Sequence, residues 1–92
     1  SLAAVINSPP RNDMVSARGL DLDLGARSRD GAGYVFAVER GGKSGRAEIR
    51  VRDAGDARVE VIGEERTLMC EDGMFADDFK PWEVHLYRLT RP

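Results

Sequence analysis

Residues 37–44, Ala-Val-Glu-Arg-Gly-Gly-Lys-Ser, match the phosphate-binding loop G-x-x-x-x-G-K-[ST] at every fixed position except the first, where Ala37 stands in place of glycine. That loop cradles phosphates because it feeds a helix whose N-terminal amides face the anion while the lysine reaches it. Here the next residues alternate like a strand, with Ala47, Ile49 and Val51 between Glu48, Arg50 and Arg52. The stretch therefore reads as a glycine-rich hairpin turn. Gly31-Ala32-Gly33 is likewise a fragment of a dinucleotide fingerprint without its third glycine or its helix, and reads as a turn.

Other chemistry-bearing residues do not assemble into a site. His85 is the only histidine, and no cysteine or second histidine stands at ligand spacing, so no metal site, cofactor or triad is expected. Strand alternation puts Val84 and Leu86 on one face and His85 with Tyr87 on the other, as a pair at a rim. Cys70, in the strand-like run Arg66-Thr67-Leu68-Met69-Cys70, is expected to be a buried thiol. The carboxylates Glu64, Glu65, Glu71, Asp72, Asp77 and Asp78 fall at turns, where they are solvated or cap backbone amides. Asp21 and Asp23 alternate with leucines as in a strand and lack the irregular, glycine-containing backbone of a calcium loop. A glycosidase pair needs two carboxyls held across a cleft, which a domain this small is poorly built to offer. No catalytic residue is expected. Arg46, Arg50, Arg52, Arg58 and Arg66 interleave with Glu48, Glu60, Glu64 and Glu65, a pattern of cross-strand ion pairs more than of a phosphate track.

Ninety-two residues suffice for one domain, 1–92, burying roughly 60–65% of its unfolded surface without a disulfide or metal. With 41% hydrophobic and 33% charged residues and a net charge of -2, the chain has no electrostatic case for nucleic acid or an anionic membrane as partner. No apolar run approaches the roughly 18–20 residues of a membrane helix, and no signal peptide is visible. A single cysteine excludes an internal disulfide and leaves the compartment undecided. The start at Ser1 and the last strand close to the end of the sequence suit a C-terminal piece of a longer protein.

The elements follow from period-two alternation and turn residues. Ala4-Val5-Ile6 reads as a brief strand stopped by Pro9 and Pro10. Leu20, Leu22 and Leu24 form the core face of a second strand, and Tyr34 to Val38, apolar on both faces, a strand covered on both sides. Strands then recur at Ala47 to Val51, Arg58 to Ile62, Arg66 to Cys70 and Glu83 to Leu89. Turn signals come every 8 to 12 residues, the spacing of a sandwich or barrel. No stretch carries a long helical period, so the expected fold is all-β, an antiparallel β-sandwich of about seven or eight strands. Its core is expected from Leu22, Leu24, Val35, Ile49, Val51, Val59, Val61, Leu68, Val84 and Leu86. Between them, Phe75 and Phe79 are four apart with Asp77 midway, a spacing that predicts a break near Ala76 into a helical turn or tight loop, with both phenylalanines pinned into the sandwich and an Asp side chain accepting a backbone N–H.

The ending, Glu71-Asp72-Gly73-Met74-Phe75-Ala76-Asp77-Asp78-Phe79-Lys80-Pro81-Trp82-Glu83-Val84-His85-Leu86-Tyr87-Arg88, resembles the G-x-F-x-D-x-F-x-P-x-x-V-H-x-Y pattern that closes the C-terminal β-sandwich domains of (β/α)8-barrel glycoside hydrolases. Gly33 to Arg40 with the strand after it, and Val59 to Arg66, look like the same domain, so the likeness spans roughly residues 30 to 90. In such enzymes the acid and nucleophile belong to the barrel. The resemblance implies a non-catalytic domain that packs on and stabilises a catalytic barrel of the same polypeptide, with Tyr34, Phe36, Trp82 and Tyr87 on the docking face. The alternative is an independent carbohydrate-binding module that stacks exposed aromatics on sugar. Trp82, Tyr87, His85 and Tyr34 are the residues expected at a domain interface or sugar contact.

Overall fold

Alternation of small or branched apolar residues with polar ones, broken by glycine and aspartate, leaves the backbone to pair between strands. The computed structural model describes residues 14–91 and contains eight strands. They are β1 (Val15–Arg18), β2 (Leu22–Arg29), β3 (Ala32–Glu39), β4 (Gly45–Val51), β5 (Ala57–Val61), β6 (Arg66–Cys70), β7 (Met74–Phe79) and β8 (Val84–Thr90). Two antiparallel sheets result, one of order β1-β4-β7 and one of order β2-β3-β8-β5-β6, which is the arrangement of a β-sandwich. Asp30 and Gly31 both have positive φ (51° and 80°), the requirement of a two-residue type I′ hairpin, and Arg29 pairs with Ala32 across it. The expected Ala4-Val5-Ile6 strand lies outside the described residues.

Between the sheets lie Val15, Ala47, Ile49, Phe75 and Phe79 from the three-stranded sheet and Ala26, Val35, Ala37, Val59, Val61, Cys70, Tyr87 and Leu89 from the five-stranded one. Phe75 meets Tyr87 edge-on with ring centres 4.9 Å apart. Leu22, Leu24, Val51 and Leu68 are half-buried against this core, whereas Leu20 packs on it from just outside β2. The strands at β1 and along 25–29 were not expected, because Gly25, Arg27, Ser28 and Arg29 obscure the alternation that pairs them with β3.

Two expectations about strand geometry fail, and in both the strand turns polar side chains inward. β7 does not break at Ala76: it runs unbroken to Phe79, with Phe75, Asp77 and Phe79 all facing inward, and Asp77 is only 3% exposed. An inward aspartate is tolerated because it is fully partnered, as described below; the expected side-chain bond is nevertheless made, Asp78 N–H donating to Asp77 Oδ1 at 2.8 Å. β8 is turned over relative to expectation, with His85, Tyr87 and Leu89 inward and Val84 59% exposed. Pairing with β3 fixes this choice, since Val35 and Ala37 oppose Tyr87 and His85. Val84 and Leu86 are thus not core residues.

The outer faces of the two sheets differ in chemistry. On the three-stranded sheet, Arg18 pairs with Glu48 (2.9 Å) and Arg46 with Asp78 (3.1 Å), cross-strand ion pairs of the expected kind, although Arg18 and Asp78 were not among the residues expected to form them. On the five-stranded sheet, Tyr34, Phe36 and Val38 of β3 lie opposite Arg88, Leu86 and Val84 of β8, so apolar side chains face outward there. Phe36 covers Gly25, where an added Cβ would clash with its ring, and Arg27 lies over the same ring at 4.8 Å.

Candidate functional site

The inward turn of β8 gathers a polar cluster between the sheets. Asp77 accepts two bonds from Arg66 (2.9 and 3.0 Å) and one from the Tyr87 hydroxyl (2.8 Å). Burial pushes its carboxyl up, but Arg66, Tyr87 and the Asp78 N–H outweigh that and hold it below the usual carboxylate range. Arg66 reaches in from β6 and also binds Glu64 of the β5–β6 turn at 3.0 Å. His85, 2% exposed, contacts Glu64 through Nδ1, while its Nε2 lies 3.0 Å from the Asp78 carbonyl and 3.2 Å from Glu83 Oε1. The Phe79 ring covers the imidazole at 4.6 Å between centres.

This cluster holds a histidine and carboxylates, the parts of a general base, but it offers nothing to activate. Burial and then the Asp77 carboxylate drive the Tyr87 phenol far above its ordinary value, so it stays protonated. Burial likewise raises the Cys70 thiol, whose Sγ donates to the Gly55 carbonyl at 3.5 Å, and thiolate chemistry is suppressed. Every buried polar side chain among the described residues has a partner. The cluster fits a cross-sheet fastening, in which the inward polar groups satisfy one another. Among the described residues, no group of three or more His, Cys, Asp or Glu is arranged to hold a metal ion.

A second buried carboxylate explains the phosphate-loop likeness. Glu39, wholly buried at the end of β3, accepts the N–H groups of Gly41 (2.8 Å), Gly42 (2.7 Å) and Lys43 (3.1 Å), and that of Trp82 (3.0 Å). Burial raises its pKa, yet the four amides more than compensate and leave the carboxyl below its ordinary value. The amides of 41–43 do form an anion nest, and the chain's own glutamate fills it. The loop leads into β4, a strand, as the alternation after Arg46 indicates.

The same carboxylate anchors the most exposed aromatic. Trp82 has φ of 63°, a left-handed conformation that is costly for a bulky side chain, and is 65% exposed. Its indole rests on Gly42, where a Cβ would come within 3.1 Å of the ring. The turn that carries it is closed by Glu83 N–H to the Lys80 carbonyl (3.1 Å) and by Lys80 N–H to Glu83 Oε1 (2.9 Å).

The four residues singled out in the sequence therefore separate. Trp82 is exposed, and Tyr34 is half-buried on the outer face, where its hydroxyl accepts from Arg88 Nε at 3.2 Å. His85 and Tyr87 are interior and cannot meet a partner in this fold, so the docking face expected from Tyr34, Phe36, Trp82 and Tyr87 loses Tyr87. Asp77, expected to be solvated at a turn, lies in β7 and belongs to the buried cluster, whereas Glu64 keeps its expected exposed place in the β5–β6 turn and reaches the cluster from its rim. Glu39 was missed altogether, although a glutamate in phase with Val35 and Ala37 is a readable sign. Compared with protein-family models, with curated proteins and with solved structures, the chain matches nothing.

Proposed function

We propose that this chain is a non-catalytic β-sandwich domain that packs on and stabilises a catalytic barrel of glycoside-hydrolase type in the same polypeptide. The observation that carries the reading is the contrast between the outer faces: the Arg18–Glu48 and Arg46–Asp78 pairs lie on the three-stranded sheet, while Phe36, Val38, Val84 and Leu86 face outward along β3 and β8 of the five-stranded one, beside Arg27, Glu60 and Arg88. An outward apolar face of this kind suits an interface. Trp82, at the same end of β8 as Val84, supplies an aromatic side chain of the type that dominates interface energetics. The inert interior cluster is consistent with a stabilising rather than a chemical role.

The test is the complete reading frame, followed by Val84→Lys in the whole protein. A barrel whose melting temperature falls in the variant supports the reading. A frame without a barrel, or a barrel indifferent to Val84→Lys and to deletion of this domain, overturns it.

The second reading, an independent carbohydrate-binding module, draws on Trp82 alone, the one aromatic among the exposed large apolar residues that are described. A row of rings would favour it more than a single indole does. Quenching of Trp82 fluorescence by soluble oligosaccharides, lost in Trp82→Ala, would move the assignment to that reading.

A further inference from the structure

Both ring nitrogens of His85 face acceptors. Nδ1 meets a Glu64 carboxylate oxygen; Nε2 meets the Asp78 carbonyl at 3.0 Å and Glu83 Oε1 at 3.2 Å, with Asp77 Oδ2 at 3.7 Å. A neutral imidazole has a single N–H, so these contacts are all satisfied only when the ring carries both protons. The titratable groups around it come from several elements: Glu64 from the β5–β6 turn, Arg66 from β6, Asp77 from β7, Glu83 from the turn before β8, and the neutral Tyr87 hydroxyl from β8 itself, while β3 sets Ala37 opposite the ring. Among them Glu83 is special. The same Oε1 that approaches Nε2 accepts the Lys80 N–H that closes the Trp82 turn.

We propose that one proton on His85 Nε2 is a latch that sets the conformation of the Trp82 turn, so that the exposed indole is held in place while the ring carries both protons and is released when it loses one. The Nδ1 proton is the one retained, because it points at a carboxylate in the shortest contact of the cluster and that carboxylate is fixed by Arg66. When the Nε2 proton leaves, the Asp78 carbonyl and Glu83 Oε1 both face a lone pair. The carbonyl is fixed in a strand, whereas the Glu83 side chain is 32% exposed and has solvent to swing into, at the expense of its bond from Lys80 N–H. Its departure removes the acceptor from Lys80 N–H and loosens the Lys80 side of the turn that carries the left-handed Trp82, while the Trp82 N–H stays on Glu39 Oε1. The direction follows: the turn is ordered on the acid side of the His85 transition and looser on the alkaline side. This coupling is internal to the chain and does not depend on what Trp82 touches.

Trp82 is the only tryptophan, so its fluorescence reports on this turn alone. The isolated chain is titrated with pH while Trp82 emission, the Trp82 indole N–H shift and the His85 ring C–H shifts are followed. The expected result is a one-proton transition in Trp82 that shares its midpoint with the His85 ring, is lost in His85→Gln, and is reduced in Glu83→Gln while that variant's ring still titrates. A ring that titrates with Trp82 unmoved, a Trp82 transition that survives His85→Gln, or a ring that does not titrate while the chain is folded would each overturn the latch. Should His85→Gln not fold, the comparison of ring and indole midpoints in the unaltered chain decides the matter.

Discussion

Glu39 Oε1 accepts the N–H of Trp82 at 3.0 Å across a sequence separation of 43 residues. One buried carboxylate thereby fixes both the glycine turn after β3 and the turn before β8. Glu39→Gln keeps the shape but removes the charge and replaces one oxygen with a donor that faces amide N–H groups. The expected outcome is a lower urea midpoint and a red-shifted Trp82 emission, with far-UV circular dichroism retained. An unchanged midpoint would show that the four amides are equally well served by water.

The cross-sheet bond from Tyr87 to Asp77 is buried, but Asp77 keeps Arg66 when the hydroxyl is removed. Tyr87→Phe should therefore cost about 1–2 kcal/mol, the range for a lost hydrogen bond whose acceptor remains partnered. Phe79→Ala, a truncation in the core, should cost about 3–5 kcal/mol, and Lys80→Ala under about 0.5 kcal/mol, because the lysine contributes to the turn through its backbone. Chemical denaturation of the three variants checks the order.

Gly25 and Phe36 should be coupled. A methyl at Gly25 collides with the Phe36 ring, so Gly25→Ala should destabilise by about 1–3 kcal/mol. In a Phe36→Ala background the same change should be close to neutral or favourable, because the obstacle is gone. A double-mutant cycle measures the difference; additive losses would mean that backbone strain rather than the ring decides the glycine.

Asp77 and Glu39 both have carboxyl pKa values depressed in the folded chain. Each contributes stability that is present above the unfolded carboxylate values, roughly 3.9–4.3, and is lost as pH falls through the lower folded values. Urea midpoints measured from pH 7 downward should thus fall steeply only on the acid side of about pH 4, and Asp77→Asn should flatten that fall. An equally steep fall in Asp77→Asn would assign it elsewhere.

Trp82 is strained and solvent-exposed, so removing its side chain from the isolated chain should do little harm. Trp82→Asn, a residue that accepts positive φ, should leave stability unchanged or raise it by up to about 1 kcal/mol. A loss of more than about 1 kcal/mol would mean that the indole's contact with Gly42 outweighs the strain.

Period-two alternation and the glycine and aspartate punctuation were enough to determine an all-β, antiparallel sandwich, because hydrogen-bonded strands need little more than a half-apolar face and a turn. A turn at Gly31, though Ala32 and Gly33 belong to β3, the turn at 41–44, the strand from Ala47 to Val51 and the buried Cys70 were legible for the same local reasons. Which face of β8 points inward was not. Val84-His85-Leu86-Tyr87 has apolar bulk on both sides, and local sequence favours valine and leucine for the core. The opposite choice stabilises the fold because β3 pairs in the register that sets Val35 and Ala37 beside Tyr87 and His85, and because Asp77 and Arg66 from other strands and Glu64 from the β5–β6 turn satisfy the polar groups so buried. The same holds for Asp77 and Glu39. A buried charge is unfavourable when read alone and acceptable once its partners are counted, and those partners stand on different strands and turns that only the tertiary structure brings within 3 Å of one another.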